Sequence, residues 1–404
     1  MSKLRGFEKP TGFHDMPPEL ARKKRILEER VRNQFERWGY EEVLTPTLEF
    51  YDTVGKASAI LKEKMFKCMD QQGNTLILRP DQTAPIARMV ASVLKKKPLP
   101  LRLSYHSNVF RAQENEAGRH AEFYQSGVEL IGLPNTEADA EVIALAIEAL
   151  QACYLESFQL AIGHVTLLDG FIRERIKDDS AVLRLKEYLG QRNMVGFHQE
   201  LDLLGVSERT KKELAILLRI SPGKEQLLHI RKLTHSPQVQ QAIEQLEEIW
   251  NHLDGYGVTS SIVFDFSLIG QIHYYTGMYF EGYSTNLGFP LLSGGRYDQL
   301  LSCFDRPLPA TGFALDINRV MEASPFTGDS PKRFIIGYKP LYHRQAIKKA
   351  ISLRKEGNVV ILHRLDDAFS YKEWVTEQDR VILLTGEGEE RYDVNDCDAE
   401  RKNL

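Results

Sequence analysis

Residues 122–130, EFYQSGVEL, alternate so regularly that they predict a β-strand with Phe123, Gln125, Gly127 and Glu129 on one face. Gln125 and Glu129 then set an amide and a carboxylate side by side, the makings of a floor for a small polar ligand. A charged hairpin on a solvated sheet has the same pattern, so the strand alone leaves both readings open. Leu101 to Phe110 is a second strand, antiparallel to the first, and Arg111 follows at its end.

The surrounding pattern is mixed. Leu20 to Trp38 carries Ile26, Leu27, Val31, Phe35 and Trp38 at helical spacing, with Gly39 at the stop. Tyr40 to Pro46 reads as a strand halted by proline, and Thr75 to Arg79 as another. Thr83 to Leu94 and Asn135 to Leu150 read as helices, the second with Asp139 and Glu141 near its start. From Leu168 to about Gly255, Leu and Ile recur among charges every three or four residues and strand-like runs vanish, as in an inserted helical module (168–255). Strands resume with Ile262 to Phe266, Tyr279 to Tyr283 and Gly312 to Ile317.

At 404 residues the chain exceeds one ordinary core. A Gly, Pro, Ser and Asp-rich loop after Ser324 divides it, predicting domains at 1–322 and 330–404. The second is a small α/β piece, with strands Arg333 to Tyr338, Val359 to His363 and Arg380 to Thr385, a helix from Tyr342 to Lys355, and an acidic tail.

Several classes of function find no support. A net charge of −4 leaves no global basic field for nucleic acid, and Lys95 to Lys97 is a short run that fits a solvated loop. Cys68, Cys153, Cys303 and Cys397 are scattered, without the pairs a zinc site needs, and are expected to be reduced. His106, His120 and His273 fit no metal spacing, so neither metal nor cofactor is expected. No apolar leader or membrane-length run appears, which predicts a cytoplasmic protein. No Walker A or Rossmann fingerprint is present, Asp178-Asp179 lacks the phosphate-cradling loop of a phosphoribosyltransferase, and GEGEE at 386–390 reads as a turn.

Four blocks stand in order: the helix and strand up to Pro46, the hairpin holding Arg111, LIGQIHYYTG at 268–277, and the pair SGGRYD at 293–298 with ATGFALDINR at 310–319. In order and wording they resemble the catalytic domain of histidyl-tRNA synthetase, a class II aminoacyl-tRNA synthetase, over roughly residues 5 to 322. The resemblance implies an α+β fold, a six-stranded antiparallel sheet flanked by helices, and a homodimer built on the first block. It also implies a histidine pocket of Asp81, Thr83, Gln125, Glu129, Tyr275 and Tyr297, with Arg111 beside it. Asp81, Thr83 and Gln125 suit an α-ammonium, while Glu129 and Tyr275 suit the two imidazole nitrogens. Asp81 departs from the glutamate of the synthetases.

The catalytic half departs further. Adenylation needs positive charge where the carboxylate and α-phosphate meet. Gly270 stands where the synthetases have arginine, and Gln113 and Glu114 replace glutamate and arginine of the second motif. Asp316 replaces a glycine and Asn318 a glutamate, although Arg111 and Arg319 are kept. The chain therefore resembles more closely the synthetase-like paralogues that serve as regulatory subunits of ATP phosphoribosyltransferase. That resemblance implies no aminoacylation, no tRNA partner, a short catalytic phosphoribosyltransferase subunit as partner in a hetero-oligomer, and histidine as effector. A divergent histidyl-tRNA synthetase is the rival; an amino-acid sensor of the stress-kinase type lacks its kinase segment here.

Overall fold

The structure is a computed structural model that describes residues 7–112, 120–268, 275–328, 333–365 and 379–385, with 389–393 as backbone only. The chain forms two compact units, Met1–Phe326 and Thr327–Leu404.

Helix α1 (Pro18–Arg37) begins on a proline, whose missing N–H costs nothing in the first turn, and ends at Trp38 and Gly39, the latter at φ +80°. Leu27, Val31 and Phe35, spaced by four, form its buried stripe. The strand expected up to Pro46 is only β1 (Glu41–Glu42). Val43 still donates to the Ser104 carbonyl at 2.9 Å, but Pro46 offers no N–H to continue the ladder. Beyond it β2 (Leu48–Phe50), β3 (Lys67–Met69) and β4 (Thr75–Leu78) make a small antiparallel sheet, followed by α2 (Thr83–Ala91).

The main sheet takes β5 (Leu101–Phe110) and β6 (Glu122–Ile131), then α3 (Thr136–Ala152) and β7 (Phe158–His164). Helices α4 (Val165–Arg175), α5 (Asp179–Gly190), α6 (Met194–Leu203) and α7 (Glu208–Leu217) follow. After a two-residue strand, β8 (Ser221–Pro222), come α8 (Glu225–Leu233) and α9 (Pro237–Gly255). The sheet resumes with β9 (Ile262–Phe264), β10 (Met278–Ser284), β11 (Leu292–Arg296) and β12 (Ala310–Asp316), and α10 (Ile317–Ala323) completes this unit. Strand order is β1-β5-β6-β12-β11-β10-β7-β9-β8. The central run β5-β6-β12-β11-β10-β7 is antiparallel throughout, whereas β1 and β9 join its two sides in parallel. The expected six-stranded antiparallel sheet is thus the centre of a nine-stranded mixed one.

One face of this sheet packs on α1 and α3. The helical stretch is no separate body: Leu185, Phe197, Leu214 and Leu227 belong to the same continuous core as Val128, Phe280 and Phe313. Helix α9 lies against both α3 and α4, which joins the stretch to the sheet. Asp139, expected to complement the start of α3, is buried and held by Arg296, whose Nη2 lies 2.8 Å from its carboxylate.

The second unit has β13 (Arg333–Tyr338), α11 (His343–Lys355), β14 (Val359–Arg364), β15 (Arg380–Leu384) and β16 (Glu389–Asp393), in the order β14-β13-β15-β16. The three expected strands are parallel, and β16 adds an antiparallel strand that takes Glu389 and Glu390 from the turn expected at 386–390 and runs on into the expected acidic tail. Ala346 and Ala350 bring α11 close to the sheet. No helix among the described residues is long and apolar enough to cross a membrane.

Candidate functional site

Residues opposite one another in neighbouring strands share a face, and register alone builds the site's floor. One row across the sheet reads Leu103, Glu129, Gly312, Gly295, Tyr279 and Gly163. The next reads Tyr105, Gly127, Ala314, Ser293, Glu281 and Ala161. A third places Ser107, Gln125 and Asp316 side by side. The middle of the floor is therefore glycine, alanine and serine, with large polar side chains at its rim.

That floor opens into a recess lined by Asp81, Thr83, Arg111, Gln125, Glu129, Tyr275 and Tyr297, so all seven residues singled out from sequence converge on one cavity. Tyr105, Ser293, Ala59 and Ile60 also line it. Counted out to its open mouth, solvent included, it encloses about 550 Å³.

Glu129 lies at its base, 2% exposed. It accepts hydrogen bonds from the Tyr297 and Thr83 hydroxyls. Burial pushes the Glu129 carboxyl up to about 8, those two bonds pull it down, and nearby Asp81 adds a smaller upward push. Burial likewise raises the Tyr275 and Tyr105 phenols, which stay neutral donors. Tyr275 stacks on Tyr279 at 6.1 Å, and a methyl group at Gly295 would come within 2.9 Å of its ring. Asp81 accepts the Ala84 N–H at 3.1 Å and the Ser58 hydroxyl. Arg111 donates to the Pro80 carbonyl at 2.8 Å, and its guanidinium lies 5.1 Å from the Phe123 ring centre.

The glycine floor makes a test. A Cβ at Gly312 would overlap the Glu129 carboxylate and the Val128 carbonyl oxygen, one of them backbone that cannot yield. We expect Gly312→Ala to cost about 1–3 kcal/mol of stability by overpacking. Thermal unfolding checks the cost, and a stability within experimental error of wild type would contradict this account.

On the other side of Gln125 the arrangement changes. Asp316 accepts the Arg319 N–H at 3.2 Å, capping α10, and its carboxylate pairs with the Arg319 guanidinium at 3.2 Å. Burial raises the Asp316 carboxyl, and the charges of Arg319, Arg111 and His120 oppose that rise. Both retained arginines thus sit in the field of one carboxylate that the synthetase pattern lacks. Asn318 is occupied as well, accepting the Tyr124 N–H at 3.0 Å. Gln113, Glu114, Gly270, His273 and Tyr274 lie outside the described residues, as does Cys397. Cys153 is buried, while Cys68 and Cys303 are exposed free thiols.

Among the described residues no group of three His, Cys, Asp or Glu side chains could hold a metal. His106 is a core residue stacked on Phe35, its Nδ1 2.8 Å from the Ser126 hydroxyl, and burial takes it down to about 3. Sequence reasoning missed Tyr105 and Ser58. Tyr105 alternates with Leu101 and Leu103, a signal that could have placed it on the ligand face; nothing local marks Ser58.

Comparison with known proteins identifies the family. Residues 12–320 match the histidyl-tRNA synthetase family. The ATP phosphoribosyltransferase regulatory subunit of Bacillus licheniformis is 43% identical over 359 residues, covering 89% of this chain and 92% of the relative. A crystal structure described as an ATP phosphoribosyltransferase regulatory subunit/histidyl-tRNA synthetase from Bacillus halodurans superposes with a TM-score of 0.87 at 40% identity, covering 96% of this chain and all of that one. Histidyl-tRNA synthetase from Nostoc shares the fold at 17% identity and a TM-score of 0.79, each chain fully covered. A synthetase fold at low identity, and close identity along nearly the whole length to regulatory subunits, lead to one assignment: the chain belongs to the family of ATP phosphoribosyltransferase regulatory subunits, built on the class II fold of histidyl-tRNA synthetase.

Proposed function

We propose that this chain is a non-catalytic subunit that docks a short ATP phosphoribosyltransferase catalytic subunit in the cytoplasm and reports the level of L-histidine to it. The observation that carries the reading is the contrast across Gln125: seven polar residues converge on one cavity, while Asp316 pairs with Arg319 where a nucleotide would need it. Histidine bound there shifts catalysis only if it favours one assembly over another, which requires coupling to the subunit contact. The domain at 1–322 holds the pocket in this reading, and homodimerisation through the first block is supported by the exposed Leu44, Leu48 and Phe50 beside it.

Co-purification with a short-form catalytic subunit, followed by phosphoribosyl transfer assays with and without this chain and with and without histidine, tests the proposal. We expect a complex, a gain in activity and inhibition by histidine. Absence of a complex and of any gain would overturn it, as would histidine-dependent ATP/pyrophosphate exchange at synthetase-like rates.

A further inference from the structure

We infer that Ser58 is a positioning residue that sets the pocket's preference for a ligand bearing an amino group, by holding Asp81 and joining it to the wall of the cavity mouth. This deepens the reading of the cavity as an amino-acid site and rests on it. Asp81 precedes α2, and one carboxylate oxygen accepts the Ala84 N–H at 3.1 Å. The other accepts the Ser58 hydroxyl. Ser58 Oγ in turn accepts the Ile60 N–H at 3.2 Å, and Ala59 and Ile60 line the cavity. The result is a directed chain, from the Ile60 amide through the Ser58 hydroxyl to the carboxylate.

Both ends of this wall are tied down. The Ser58 N–H donates to the Val54 carbonyl at 2.9 Å, and Val54 is buried. At the far end the Lys64 carbonyl accepts the Ala112 N–H at 2.8 Å, next to Arg111. Between them the Ser58 hydroxyl links the wall to a carboxylate of the pocket.

The shorter acid explains why such a link is needed. A glutamate, as the synthetase resemblance implies at this position, carries its charge one methylene further from the backbone. Asp81 keeps its carboxylate at the start of α2, and it is 7% exposed. A carboxylate offers about four acceptor positions, so the Ser58 and Ala84 bonds leave room for an ammonium. A hydrogen bond to a charged group is among the stronger ones, and its loss also frees Asp81 to rotate away from the cavity. A ligand without an amino group gains nothing from Asp81 and is indifferent to Ser58.

Calorimetric titration of the full chain with L-histidine and with imidazole-4-propionate, which lacks the amino group, tests the assignment. Ser58→Ala is expected to weaken histidine roughly 10- to 30-fold and to leave the propionate within about twofold, so discrimination collapses. Ser58→Thr keeps the hydroxyl and is expected to restore most of it. Equal weakening of both ligands, or no change in either, would overturn the role of Ser58 while wild-type histidine binding keeps the pocket reading intact. A wild-type chain that binds neither ligand would remove both.

Discussion

Glu129→Gln is expected to weaken histidine binding by about 10² to 10³-fold while making the empty protein more stable at alkaline pH. The carboxylate that would accept the imidazole N–H is replaced by an amide of the same shape, so a charge-assisted bond is lost and one NH₂ group is left facing the ligand. The stability change has the opposite sign because Glu129 is held far above its unfolded value of 4.5, at about 8. Between those values the native state binds more protons than the unfolded chain, so stability falls as pH rises through the window, and the full cost is present above about 8. The cost is of the order of a few kcal/mol. The amide carries none of it and can still accept from Tyr297 and Thr83. Thermal unfolding at pH 6 and pH 9 reads this directly: the variant's margin in melting temperature over wild type should be clearly larger at pH 9 than at pH 6. A wild-type protein whose advantage grows with pH would contradict the neutral state assigned to Glu129.

The same ionisation predicts an unusual pH profile for binding. A neutral imidazole meeting a protonated Glu129 and an imidazolium meeting its carboxylate hold the same number of protons, so the complex forms without proton exchange when both free partners are in the first state. That window runs from the imidazole pKa of about 6.5 to the Glu129 value of about 8. Below it binding releases a proton and above it binding takes one up, so affinity should fall on both sides, approaching tenfold per pH unit. An ordinary carboxylate would instead place the optimum between about 4.5 and 6.5. Titration in buffers of different ionisation enthalpy separates the two by counting protons: no net exchange near pH 7, uptake at pH 9. The ligand's own amino group adds to the alkaline fall, and the imidazole-4-propionate titration removes that contribution. Uptake of protons already at pH 7 would refute the assignment.

What the sequence makes legible depends on whether a signal is local. Strict alternation in 122–130 places Gln125 and Glu129 on one face, and the strand pairings put them there. Strand β11 is hidden in sequence because LSGGR has turn composition; only its register against Gly312 and Tyr279 shows that the glycines are floor. Strand β7 is short and lies beside the helical stretch, whose stronger periodicity masks it. That stretch looks like a module because periodicity reveals an apolar face but not what covers it, and here the cover is the sheet's own core. The departures at Asp316 and Asn318 are visible in sequence, yet their new tasks are not. A cap and a bond to the Tyr124 amide depend on elements far apart along the chain. That Thr83 donates to Glu129 is equally hidden, because residue type shows that a hydroxyl can bond, not which group takes its proton.

The glycine and alanine floor also limits how such a pocket can change over time. Its depth comes from strand register and from the absence of side chains, so it offers almost no graded variants: most additions at Gly127 or Gly312 meet backbone oxygen. The rim is different. Asp81, Tyr275 and Tyr297 lie outside the strands, so a change of side chain there leaves the sheet's register alone. Descendants of this chain can therefore retune what they hold, or lose the reaction beside it, while the vessel itself persists or disappears whole.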